Sequence, residues 1–146
     1  EIASCLVGSE MCIRDSYGYG PYESYSDKHR ASWVDRFDTT VDDMFEDYVF
    51  PQENGSHYNC QYASVGNLYA KGKKPFSFQA SRYSEKELDE KAHNFELVPS
   101  DGIYVALDYK QSGIGSNSCG PRLAEKYQIR EEKIEWEISL RFDNKN

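Results

Sequence analysis

The C-terminal part of the chain alternates between apolar and polar residues with a period of two. From residue 134 to residue 142, every second residue is large and apolar, and the residues between them are polar or charged. A β-strand places successive side chains on opposite faces, so this run predicts a strand with one buried and one solvated face. Such strands are typical of antiparallel sheets, because parallel strands are usually apolar on both faces.

Other segments predict strands of the same kind. The alternation recurs at 76–81 and 103–110, and less regular strands are predicted at 33–41 and 57–65. The pattern as a whole predicts about seven to nine strands. With 146 residues and no internal repeat, it predicts one all-β domain, an antiparallel β-sandwich.

One short helix is predicted near residues 84–95. Ser84 is followed three residues later by Glu87, which is the spacing of a reciprocal cap at a helix start. Leu88, Ala92 and Phe95 then recur on one helical face, and we expect this face to lie across the sheet.

The charge balance argues against a nucleic-acid partner. The net charge is −8, whereas nucleic-acid binding needs a clustered positive surface. No apolar stretch approaches the ~18–20 residues that cross a bilayer. Cys60 and Cys119, the two cysteines beyond the first 16 residues, have neither a metal-binding spacing nor the density of a disulfide framework. We expect a reduced, cytoplasmic protein without membrane contact.

The N-terminal segment resembles translated laboratory DNA. Residues 5–16, CLVGSEMCIRDS, match one reading frame of the adapter used in a common transposase-based sequencing kit. A short natural strand is the alternative, because the segment contains apolar runs that could pair. We expect residues 1–16 to be non-native and exclude them from the fold prediction.

Three loops carry the most specific pattern in the chain. They are 20–27 (GPYESYSD), 51–55 (PQENG) and 113–121 (GIGSNSCGP), called the first, second and third loops below. Their order and spacing resemble the last β-sandwich of the large β-galactosidases of glycoside hydrolase family 2, a domain sometimes encoded as a separate small chain. The resemblance implies a galactose mutarotase-like sandwich, with residues 17–143 forming its second half and 144–146 a tail.

The resemblance also implies that this chain is one piece of an enzyme. The parent would hydrolyse terminal β-D-galactose residues with retention, using two carboxylates on a (β/α) barrel outside this chain. No catalytic residue is therefore expected here, and the fragment alone should be inactive. The expected partners are the barrel domain or large chain, a β-galactoside and further copies of the parent. The magnesium and sodium ions of the family are bound by other domains, so this chain should bring no cofactor.

The third loop is expected to reach the mouth of that barrel. Its predicted pocket residues are Asn117, Ser118, Cys119 and Gly120. Some relatives offer a tryptophan on which a sugar ring can stack, but this chain has Cys119 and a loop one residue shorter. Cys119 either packs as a small, partly buried residue or lines the pocket. Asn117 and Ser118 either donate hydrogen bonds to a sugar or cap the loop.

The first two loops are expected to be architectural. Glu23, Asp27 and Glu53 are predicted to accept hydrogen bonds from backbone N–H groups, because carboxylates in such loops need partners. Glu53 or Asn54 near the active-site mouth is the functional alternative.

Rival functions come from other classes. A stand-alone carbohydrate-binding or interaction module could use the same fold, and a mutarotase would need a positioned acid and base that no residue pair supplies convincingly. The three histidines are scattered along the chain, at His29, His57 and His93. Metal sites need clustered ligands, so no metal is predicted.

Overall fold

Six strands and one short α-helix make up the computed structural model, which describes residues 13–115 and 121–143. The strands are β1 (Ile13–Gly20), β2 (Trp33–Thr40), β3 (His57–Val65), β4 (Leu68–Ser81), β5 (Tyr104–Asp108) and β6 (Ile138–Phe142). The helix α1 (Glu85–Glu90) lies between β4 and β5, and single 3₁₀ turns occur at Asp42–Met44, Asn94–Glu96 and Glu125–Tyr127. In the described part of the chain, no helix is long and apolar enough to cross a membrane.

The strands form one antiparallel sheet in the order β2-β1-β3-β4-β5, with β6 also paired to β4. The first part of β4, Leu68 to Gly72, pairs with β6, whereas its last part, Ser77 to Ser81, pairs with β5. Between these parts the register against β3 shifts on both sides of Cys60, as expected at β-bulges, which bend a strand and increase its twist. The all-β antiparallel class is confirmed, and the bend gives the single sheet a sandwich-like form.

The core consists of the apolar faces that alternation predicted. Phe76 and Phe78 on β4 are 2% and 0% exposed, and Val105 and Leu107 on β5 are 4% and 2% exposed. Each such side chain contributes ~1.5–3 kcal/mol by leaving water. The remaining members of the cluster come from β3, β4 and the connecting segments: Val41, Met44, Cys60, Ala63, Val65, Leu68, Ala70, Ala80 and Ile103.

Tyrosines cross-link neighbouring strands. Tyr62 on β3 stacks on Tyr17 of β1 and on Tyr69 of β4, with ring centroids 6.5 and 5.7 Å apart. Tyr19 and Tyr58 form a further stacked pair at 5.8 Å. Aromatic pairs across strands stabilise a sheet beyond the area they bury. These pairs involve five of the 12 tyrosines of the chain.

The predicted C-terminal strand is shorter and less buried than its alternation implies. It begins at Ile138 rather than at residue 134, and Leu140 and Phe142 remain 42% and 51% exposed. Only Trp136 and Ile138 from this run pack against the core. The pattern therefore identified the strand correctly but was wrong about how much of its apolar face is covered.

The helix prediction was correct at the start and wrong at the end. The Ser84 hydroxyl accepts a hydrogen bond from the Glu87 N–H at 3.0 Å, and Leu88 is buried. The Glu87 carboxylate instead accepts from the Val98 N–H at 3.0 Å. The helix stops at Glu90, so Phe95 is not carried onto the sheet and is 85% exposed.

The adapter-like segment lies mostly outside the described residues, which exclude 1–12. Its last four residues belong to the backbone of β1, where Ile13 pairs with Thr40 and Ser16 with Ala63. The non-native origin of residues 1–16 stays a prediction.

Candidate functional site

Strand direction and register bring the three loops close together. The first loop leaves the end of β1, the second enters the start of β3, and the third leaves the end of β5. β1 runs antiparallel to β3, so the end of β1 lies beside the start of β3. The register on the longer β4 then places the end of β5 at the same level, because Phe78 of β4 is paired with His57 of β3 on one side and with Leu107 of β5 on the other. Loops far apart in sequence therefore meet at a single site.

Glu23 joins the first loop to the second. Its buried carboxylate accepts a hydrogen bond from the Gly55 N–H at 2.9 Å and contacts Lys28 and Tyr48. The backbone continues the junction, since the Ser24 N–H donates to the Ser56 carbonyl at 2.7 Å. The predicted role of Glu23 as an acceptor of backbone hydrogen bonds is confirmed.

Gly55 is required at this junction. Its φ is +71°, in the left-handed region that favours glycine. A Cβ added there would lie 2.5 Å from the Met44 carbonyl oxygen. The second loop can therefore reach Glu23 only with glycine at this position.

Asp27 joins the first loop to the third. Its two carboxylate oxygens accept hydrogen bonds from the Ile114 and Gly115 N–H groups, each at 3.1 Å. A Cβ on Gly113 would lie 2.1–2.6 Å from the same carboxylate, so only glycine lets the chain approach Asp27 this closely. The predicted role of Asp27 is confirmed, and its partners are the first residues of the third loop.

Gln111 fixes the chain just before the third loop. Its Oε1 accepts from the Ser56 hydroxyl at 3.0 Å, and its Nε2 donates to Asp108 Oδ2 at 2.9 Å. Ser56 adjoins the second loop and Asp108 ends β5. Sequence reasoning missed Gln111, because a glutamine 55 residues from its partner leaves no local signal.

The pKa values of Glu23 and Glu53 are shifted in opposite directions. Burial by itself would raise the pKa of Glu23, but hydrogen bonds from Lys28, Tyr48 and the Gly55 N–H outweigh it and lower the pKa. Burial raises the pKa of Glu53 to about 7, with the nearby charges of Glu23 and Asp108 acting in the same direction. Part of the Glu53 side chain stays exposed, and this exposure screens the carboxylate and limits the energy that the shift represents.

Tyr25 lies between these two carboxylates. Its hydroxyl is 3.3 Å from Glu23 Oε2 and 3.4 Å from both oxygens of Glu53. Burial, reinforced by the charges of Glu53 and Glu23, raises the pKa of the tyrosine. Tyr25 therefore stays a neutral phenol that donates to the acids beside it, and Glu53 accepts from this side chain rather than from the backbone N–H that was predicted.

A cleft of ≈ 460 Å³ opens where the loops meet. Its walls present hydrogen-bonding groups from Tyr25, Glu53, Gln79 and Gln111, and an edge formed by Gly113 and Ile114. Among residues 13–115 and 121–143, no group of three or more histidines, cysteines or acids is arranged to hold a metal ion. The arrangement is suited to positioning a loop beside a polar ligand.

The predicted pocket residues Asn117, Ser118, Cys119 and Gly120 lie outside the described residues, although the start of their loop is fixed by Asp27. The cysteine that is described, Cys60, is fully buried, and its thiol donates to the His57 carbonyl at 3.4 Å. His57 is buried, with its Nδ1 3.0 Å from the Tyr19 carbonyl oxygen. His57 is therefore part of the fold rather than of the cleft.

The fold and the loops define a class: an antiparallel β-module in which the first loop is hydrogen-bonded both to the second loop and to the start of the third. The sequence model described as "Beta galactosidase small chain" matches residues 14–142. The chain belongs to the β-galactosidase small chain family.

Comparison with curated proteins gives the same result. The chain is 47% identical over 127 residues to a β-galactosidase of Actinobacillus pleuropneumoniae, covering 87% of this chain and 13% of that protein. It is 42% identical over 130 residues to one of Staphylococcus xylosus, covering 86% and 13%. The β-galactosidase of Kluyveromyces lactis is 34% identical over 149 residues, covering 94% and 14%. The chain thus spans about an eighth of the length of these relatives.

Proposed function

We propose that this chain completes the substrate pocket of a β-galactosidase whose catalytic barrel lies outside it. The whole enzyme would hydrolyse terminal β-D-galactose residues with retention, by two carboxylates on the barrel. Within this proposal, Asn117, Ser118, Cys119 and Gly120 line the pocket on the side of the leaving group. A cytoplasmic location and a homo-oligomeric parent belong to the same proposal.

The observation that carries the proposal is the anchoring of the third loop by Asp27. The Ile114 and Gly115 N–H groups of the third loop both donate to the Asp27 carboxylate. These two hydrogen bonds hold the start of the third loop against the first loop, which is also joined to the second. A loop held in this way can enter a neighbouring pocket without losing much conformational entropy on binding. The relatives compared above are β-galactosidases, and their remaining length supports a catalytic body beside this module.

A chimeric enzyme tests the proposal. Residues 17–142 of this chain replace the matching segment of the A. pleuropneumoniae β-galactosidase, and hydrolysis of a chromogenic β-galactoside is measured. We expect an active chimera in which Asn117→Ala and Ser118→Ala each raise KM. The control is Lys133→Ala, at an exposed lysine paired with Glu135, which should leave KM unchanged. A chimera that folds and assembles but has no activity would contradict the proposal.

A further inference from the structure

Four exposed apolar side chains on two adjacent segments have no role in the proposed function. Val49 is 93% exposed, Phe50 61%, Phe95 85% and Val98 68%. Single exposed apolar residues are ordinary on protein surfaces. A group of four on two adjacent segments is different, because contiguous apolar surface marks interaction sites. These four residues are called the apolar patch below.

Hydrogen bonds hold the two segments of the patch side by side. The Asn94 amide donates to the Asp47 carboxylate and to the Tyr48 carbonyl, so the chain before Val49 lies against the chain before Phe95. The Val98 N–H donates to the Glu87 carboxylate of α1 at 3.0 Å. The patch is therefore attached both to the strand-free segment that precedes the second loop and to the helix.

The 3₁₀ turn that carries Phe95 is also fixed. Glu96 Oε2 accepts from the Ala92 and His93 N–H groups at 3.1 and 2.9 Å. The Phe95 ring stacks on the His93 ring, with centroids 5.1 Å apart and planes inclined by 15°. One face of the Phe95 ring thus packs against the His93 ring, while most of the side chain faces solvent. Because the turn and the ring stacking already restrict Phe95, its side chain loses little rotamer freedom when a partner covers it.

The patch adjoins the candidate site. Phe50 is followed directly by the second loop, and both line a cleft with Leu88 of α1. Lys86 and Asp89 stand at the edge of that cleft. An apolar centre with a charged rim is the usual composition of a protein interface. A partner seated on the patch would therefore touch the second loop, which Glu23 links to the first.

We propose that the apolar patch docks against the catalytic body of the same β-galactosidase and so sets the position of the three loops over its pocket. The length of the relatives favours this occupant, since this chain covers only 13% of the A. pleuropneumoniae protein. The inference rests on the proposed function and adds the surface through which the module meets its partner.

Side-chain footprinting of the chimera tests the docking surface. Hydroxyl-radical labelling of Phe50 and Phe95, read by mass spectrometry, is compared between the chimera and the 146-residue chain alone. We expect labelling of both rings to fall about tenfold in the chimera, since the centre of an interface is almost fully buried. An active chimera whose two phenylalanines are labelled as in the chain alone overturns the docking surface and leaves the proposed function standing.

Other outcomes separate the two proposals. Protection of both rings in an inactive chimera supports the docking surface and contradicts the pocket role. A chimera that shows neither protection of the two rings nor hydrolytic activity overturns both proposals. Protection in the isolated chain that increases with its concentration would assign the patch to a second copy of the chain and overturn the proposed occupant.

A pair of double variants gives an independent readout in the chimera. Phe50→Ser with Phe95→Ser removes the aromatic centre of the patch, and Val34→Ser with Phe142→Ser changes apolar residues on β2 and β6 that are 44% and 51% exposed. In mild urea the patch variant should lose activity about tenfold, which corresponds to roughly 1.4 kcal/mol of interface energy, and the control should stay within about twofold. Equal losses in the two variants would contradict a specific role of the patch.

Discussion

Glu23→Gln is the sharpest test of how the first two loops are joined. One carboxylate oxygen accepts from Lys28 and Tyr48, and the other accepts from the Gly55 N–H at 2.9 Å and from Tyr25 at 3.3 Å. A glutamine side chain keeps one acceptor oxygen and places an NH₂ group against the donors on the other side. Whichever way the amide is turned, at least one buried or partly buried donor then loses its acceptor.

The expected cost of Glu23→Gln follows from these contacts. A buried donor left without its acceptor costs ~1–3 kcal/mol. The lost charge on the Lys28 side adds less than ~1 kcal/mol, because the lysine side chain is 47% exposed and screened by solvent. We expect the free energy of unfolding of the chain to fall by about 1–4 kcal/mol, the sum of the two effects.

Urea denaturation followed by tryptophan fluorescence at pH 7 measures this change. Glu90→Gln is the control, since Glu90 belongs to an exposed i,i+4 pair with Lys86 and should cost under about 0.5 kcal/mol. The Glu23 pKa is lowered in the folded chain, so its stabilisation is present above the unfolded-state pKa and is lost as the pH falls through the folded-state pKa. The free energy of unfolding of the Glu23→Gln variant should therefore fall less than that of the wild type as the pH is lowered. A Glu23→Gln chain as stable as the Glu90→Gln control would refute this account of the loop junction.

Further predictions concern other positions. Glu53 has a folded-state pKa of about 7, above its ordinary value of 4.5, so wild-type stability should fall as the pH rises through that window. Glu53→Gln should then stabilise the chain at pH 8 by about 1 kcal/mol after allowance for solvent screening and leave stability at pH 4 unchanged, as thermal unfolding at both pH values would show. Gly55→Ala should cost at least ~2 kcal/mol in urea denaturation, because the left-handed φ costs about 1–2 kcal/mol for alanine and the new Cβ meets the Met44 carbonyl. Ser84→Ala should lower the free energy of unfolding by ~0.5–2 kcal/mol through loss of the helix cap, and an unchanged urea midpoint would remove that role.

Local patterns predicted those parts of the fold that depend on neighbouring residues. The strand at 57–65 was predicted with the bounds that β3 has, and Ser84 was identified as the cap of α1. The alternation in 76–81 and 103–110 identified side chains that are buried in the core. In each case the signal is contained within a few consecutive residues.

The patterns could not predict contacts that depend on the rest of the chain. Asp27 was expected to bind backbone N–H groups, but its partners Ile114 and Gly115 lie 87 and 88 residues away, and only the strand topology brings them together. Periodicity likewise shows which face is apolar but not whether anything covers it. Phe95 and Phe142 were both placed on buried faces, yet they are 85% and 51% exposed.

The central claim is that Asp27 holds the third loop in position to complete a substrate pocket. Asp27→Asn in the chimera tests it directly, since the amide nitrogen cannot accept one of the two N–H groups that the carboxylate binds at 3.1 Å. The control is Asp101→Asn, the same change of charge at an exposed position before β5. Displacing a positioning group by about 1 Å can cost on the order of 10²-fold in rate, so kcat/KM for a chromogenic β-galactoside should fall about 10–100-fold for Asp27→Asn and stay unchanged for Asp101→Asn. Equal kcat/KM values for the two variants would contradict the claim.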